Sequence, residues 1–87
     1  MRYTVLWVPS AQQDLAAIWI DAADRSAVAS AADTIDTVLR EDPYRQGESR
    51  EGATRILFAP PLAIDFEVLE EDRIVRVLTV WMSESKP

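Results

Sequence analysis

The chain has 87 residues, no cysteine and no histidine, and its 15 acids against 9 basic side chains leave a formal net charge of −6. That excludes disulfide staples, thiolate chemistry and the commonest general base and metal ligand. It also argues against a free-standing nucleic-acid binder, which needs a basic patch to neutralise phosphates.

Residues 2–8 read as a first strand, with Tyr3, Val5 and Trp7 alternating against Thr4, Leu6 and Val8. Pro9 ends it. Ser10 followed by Gln13 has the spacing of a capping box and predicts a helix running to about Ala23. Its apolar stripe is Leu15, Ile18, Trp19 and Ala22, so Trp19 is assigned to the core. Asp24-Arg25-Ser26 is a short polar joint with two candidate N-caps. A second helix then places Val28, Ala31, Ala32, Ile35, Val38 and Leu39 on one face. Its other face carries Ser30, Asp33, Asp36, Thr37 and Arg40, with Asp36 and Arg40 at the favourable i, i+4 spacing. Asp42-Pro43 stops this helix, because a residue before proline is pushed out of the helical region. Two amphipathic helices joined so closely pack as an antiparallel hairpin.

Residues 43–53 hold both glycines and read as one long loop, with Gly47 and Gly52 placed where positive φ is required. Thr54 to Phe58 is a second strand, broken by Pro60-Pro61. Leu62 to Leu69 is a third and Arg73 to Met82 a fourth. A turn at Glu71-Asp72 pairs Val68 with Val75, Phe66 with Val77 and Ile64 with Thr79 on one face, and Leu69 with Ile74 and Glu67 with Arg76 on the other. The opposite-charge pair across the ladder supports that register. The expected architecture is α+β, in the order β-α-α-β-β-β, with a helical hairpin on one face of a small, mostly antiparallel sheet. One domain over residues 1–87 is expected, its single core burying roughly 60% of the surface that the unfolded chain exposes. The face meeting the helices bears Ile64, Phe66, Val68, Val75, Val77 and Trp81. The open face carries Asp65, Glu67, Arg76, Leu78 and Val80, with Leu57 and Arg55 beside them.

The charge is spread along the chain. Residues 1–44 hold three arginines against seven acids, and residues 45–87 five arginines and one lysine against eight. No segment is strongly basic. The apolar run at the N-terminus is too short for a signal-peptide core or a membrane span, so a cytoplasmic protein with no membrane association is expected.

The order of elements, the length, and the segments Gly47-Glu48-Ser49-Arg50, Arg55-Ile56-Leu57-Phe58 with Pro60-Pro61-Leu62, Phe66-Glu67-Val68-Leu69 and Arg73 through Trp81 together resemble the RelE/ParE superfamily of bacterial toxins. The resemblance spans Tyr3 to Trp81. It implies a toxin neutralised by a cognate antitoxin in a type II toxin-antitoxin system. RelE-type members cleave mRNA on the ribosome with a cluster of lysines and arginines that stabilises charge on the scissile phosphate. In this chain the second strand offers only Arg55, with Leu57 where another cation is expected. The third strand has Ala63 and Asp65, and Met82-Ser83-Glu84-Ser85-Lys86 lacks a basic and aromatic tail. ParE-type members act on DNA gyrase by protein contact, which needs no such cluster.

The favoured reading is therefore a ParE-like toxin acting by protein–protein contact. A RelE-like ribosome-dependent endoribonuclease and a non-toxic interaction domain are the alternatives. No catalytic residue, cofactor or metal ligand is assigned. Asp65 and Glu67 lie two apart on one strand without a companion base. Candidate partner-binding residues are Arg45, Arg50 and Arg55 around the long loop, and Leu57, Arg76, Leu78 and Val80 on the open face. That face mixes apolar anchors with charges of both signs, which suits a protein segment better than a polyanion.

Overall fold

The computed structural model describes residues 2–45, 48–49 and 54–83. Strand β1 (Thr4–Trp7) leads into helix α1 (Pro9–Asp21). Pro9 occupies the first helical turn, where its missing N–H costs nothing and its φ is already helical. Val8 is the N-cap and no side chain caps this end, so the capping box expected at Ser10 and Gln13 does not form. Helix α2 (Arg25–Glu41) starts on Asp24, whose Oδ1 accepts from the Ala27 amide at 3.0 Å. It buries Val28, Ala31, Ile35 and Leu39 and ends against Asp42-Pro43 as expected.

A 3-10 turn, Pro43–Arg45, and a two-residue strand β2 (Glu48–Ser49) occupy part of what reads as loop in the sequence. Gly47 and Gly52 lie outside the described residues. Strands β3 (Thr54–Ala59), β4 (Leu62–Leu69) and β5 (Ile74–Met82) follow, with a cis peptide bond between Pro60 and Pro61. The sheet order is β1-β5-β4-β3-β2, parallel between β1 and β5 and antiparallel elsewhere. The helical hairpin covers one face, and Phe66, Ile35, Leu39, Leu62, Ile64, Val75 and Val77 are fully buried between the layers. No helix among the described residues is long and apolar enough to cross a membrane.

The turn between β4 and β5 is a 3-10 segment, Glu70–Asp72, closed by Arg73 in the left-handed region at φ 55°. Because Arg73 leaves the extended conformation, β5 begins one residue later than the sequence suggests. Near this turn the register is as counted: Leu69 opposite Ile74, Val68 opposite Val75, Glu67 opposite Arg76 and Phe66 opposite Val77. Between Asp65 and Phe66 it then slips. Asp65 faces Thr79 and Ile64 faces Val80, so Leu78 is the extra residue of a β-bulge.

That single insertion exchanges the faces of everything beyond it on β5. Val80, expected on the open face, is only 4% exposed and belongs to the core. Trp81, expected under the helices, pairs with Ala63 on the open side, and Ile64 does not pair with Thr79. Leu57 is also corrected: the tight turn at Pro60-Pro61 sets it opposite Ile64, and it is 8% exposed, on the helix side. Arg55 shares that side, opposite Phe66.

Candidate functional site

The sheet ends in β1. Backbone N–H groups of Thr4 and Val8 donate to Arg73 and Val77, so in the alternating pattern of a strand the peptide groups of Val5 and Trp7 point away from β5. The carbonyl of Trp7 accepts from the Gln12 side chain at 2.7 Å. Its indole N–H donates to Asp36 Oδ1 at 2.8 Å, tying β1 to α2 across a partly buried gap.

Between this edge and the two helices runs an apolar groove of about 860 Å³. Leu6, Trp7, Leu15, Trp19, Ile20 and Val28 line it, with Asp33 and Asp36 at its α2 side. Three of its large apolar side chains are substantially in water: Leu6 at 46%, Trp19 at 44% and Ile20 at 63% exposure. Trp19 is thus not a core residue. The stripe that α1 turns inward is Ala11, Leu15, Ile18 and Ala22, which rotates Trp19 to the helix flank. Arg25 fixes it there, donating to the carbonyls of Trp19 (3.0 Å) and Ile20 (2.9 Å) with its guanidinium 4.6 Å from the Trp19 ring centre. Arg25 so bonds two carbonyls at the end of α1, the Trp19 carbonyl also accepting from the Ala22 amide at 3.3 Å.

The open face of the sheet is a second exposed surface. Glu67 and Arg76 form an ion pair there at 2.7 Å, flanked by Leu6 on β1 and by Thr79 and Trp81 beyond the bulge. Phe58, of opposite parity to Leu57, is also exposed.

A third cluster sits where β1 begins. The Tyr3 hydroxyl donates to Glu70 Oε1 at 2.9 Å, and Arg73 reaches the same carboxylate at 3.6 Å. Tyr44 stands edge-on to Tyr3, ring centres 6.5 Å apart. Arg55 donates to the Tyr44 carbonyl at 3.1 Å, its guanidinium 5.9 Å from the Tyr44 ring. The hydrogen bond to Glu70, then burial, raises the Tyr3 pKa; for Tyr44 burial leads and the bond to Glu70 follows. Both phenols therefore stay protonated at neutral pH, so neither serves as a base there. The cluster braces the turn after α2 against the sheet.

Of the seven residues singled out from the sequence, those whose side chains are described do not form one surface. Arg76 lies on the open face, already paired with Glu67, and Leu78 is the half-buried bulge residue. Arg55 serves the tyrosine brace. Leu57 and Val80 are core. Arg50 and the Arg45 side chain lie outside the described residues. The groove went unseen in the sequence, although the pair Trp19-Ile20 carried a signal. With Ile18 before them they make three large apolar residues in a row, and a helical stripe admits at most two adjacent positions.

No protein-family model and no curated protein matches the sequence. Solved structures do. A chain of the toxin-antitoxin complex RelBE2 from Mycobacterium tuberculosis superposes with a TM-score of 0.77 at 19% identity, covering 98% of this chain and 95% of that one. A chain of the chromosomal ParDE toxin-antitoxin system from P. aeruginosa gives a TM-score of 0.68 at 20% identity, covering 93% and 96%. The chain has the RelE/ParE-like α+β fold.

Proposed function

We propose that this chain is the toxin of a toxin-antitoxin pair, silenced by a cognate antitoxin and acting on its target by protein contact, as ParE-like toxins do. The observation that carries the reading is the likeness to chains of two toxin-antitoxin complexes over nearly the whole length of all three. Such a toxin needs a surface for its antitoxin. The groove along β1 supplies exposed apolar anchors beside outward-pointing backbone groups, a combination suited to a segment that buries side chains and adds to a sheet edge. It replaces the open sheet face as the docking surface, since Val80 and Leu57 are not available there.

The choice between contact and RNA cleavage rests on where the cations lie. On the open face Arg76 is held by Glu67, with Asp65 on the same side. Arg55 is on the opposite side, engaged with Tyr44. A phosphate brought to the open face meets acids rather than a ring of donors, so transition-state charge is not stabilised. DNA gyrase is the target carried over from the ParE-like resemblance.

Expression in a bacterium with and without the gene next to this one tests the reading. Growth arrest relieved by the neighbour, with loss of gyrase supercoiling and messenger RNA intact, is the expected outcome. Codon-positioned cuts during arrest would assign the endoribonuclease activity instead, and unaffected growth would leave an interaction domain.

A further inference from the structure

We propose that the segment seated in the groove is cationic: an amphipathic stretch of the partner whose apolar side chains cover Leu6, Trp19 and Ile20 and whose lysines or arginines meet Asp33 and Asp36. This rests on the reading of the chain as a protein silenced by a partner, and adds the chemistry of the part that docks.

The groove carries one sign of charge. Of the residues lining it, Asp33 and Asp36 alone are ionisable, and no lysine or arginine is among them. Three apart on α2, they lie on one face of the helix. Asp36 gives one oxygen to the Trp7 indole, leaving its second oxygen for a cation. Asp33 is exposed and makes no ion pair with any described residue. The Arg25 guanidinium, which lies over Trp19, is committed to α1 carbonyls and that ring. An acidic segment entering here would bring its charges beside two carboxylates with no cation among the lining residues to offset them. A basic segment would be drawn in, and the chain's net charge of −6 adds long-range attraction.

The test uses the full chain and two synthetic amphipathic peptides that share one leucine pattern and differ only in carrying lysine or glutamate at the polar positions. Trp7 and Trp19 line the groove, so their fluorescence reports occupancy. The lysine peptide should bind about tenfold more tightly than the glutamate peptide, and the margin should shrink as salt is raised. Asp33→Asn should narrow that preference and Asp33→Lys should narrow it further; circular dichroism confirms that each variant is folded. Ile20→Asn should weaken both peptides. Equal or tighter binding of the glutamate peptide, or a preference unmoved by Asp33→Lys, overturns the proposal. So does binding indifferent to Ile20→Asn, which would put the peptides elsewhere. Growth arrest is read in a separate experiment, so failure of the toxin reading shows there and not in the peptide preference.

Discussion

The β4–β5 hairpin has two halves that obey the same pleat with opposite results. From Leu69 and Ile74 to Phe66 and Val77 every second residue enters the core, and the opposite face holds the partly buried Glu67–Arg76 pair. Beyond Leu78 the order on β5 inverts: Val80 is buried against Ile64, and Trp81 stands beside Ala63 on the open side. Composition does not separate the halves, since both alternate apolar with larger or polar side chains. One inserted residue does, because the side-chain period of a strand is two and a shift of one exchanges its faces.

Substitutions can break this comparison at three strengths. Val80→Asp should have the largest effect, about 5 kcal/mol, because it removes a buried side chain and sets a carboxylate in a core with no partner. Loss of the cooperative melt is the expected readout; a stable Val80→Asp variant would put the bulge elsewhere. Phe66→Ala, at the last pair before the slip, should cost about 3–5 kcal/mol in denaturant titration, by lost transfer energy and a residual cavity. A loss of less than about 1 kcal/mol would show that Phe66 is not the centre of the core. Trp81→Ser should cost least, about 2 kcal/mol, despite removing the largest side chain type, because Trp81 is only partly buried and lies on the face away from the helices. A loss as large as that of Phe66→Ala would mean that something covers this face in the isolated chain.

The legible parts of the molecule are those governed by local rules. The α2 stripe, the Asp24 cap, the stop at Asp42-Pro43, the limits of β4 and the pairing of Glu67 with Arg76 follow from periodicity, capping and cross-strand charge. The α+β layout was readable for the same reason. The illegible parts depend on contacts between distant segments. Nothing near Leu78 announces a bulge: it is neither glycine nor a turn former, and only the sheet decides which strand carries the extra residue. Ser10 has the right neighbours for a cap, but Pro9 takes the first helical position before it. Trp19 fits a helical stripe on paper, yet Ala11 is fully buried and turns the helix away from it. The groove needed the Trp19 assignment corrected, since it lies between a rotated α1 and the outer edge of β1.

The parallel partnership of β1 with β5 also bears on the order of assembly. β4 and β5 meet through a short turn, whereas Thr4 must find Ile74 across almost the whole chain, and that loop closure is entropically costly before any contact rewards it. β1 should therefore dock late and detach early, which residue-resolved amide exchange would register as Leu6 opening before Phe66. The groove has β1 as one wall, so it does not exist until the two ends of the described chain have met. A partner that binds it recognises a finished fold, and holds shut the seam that would otherwise open first.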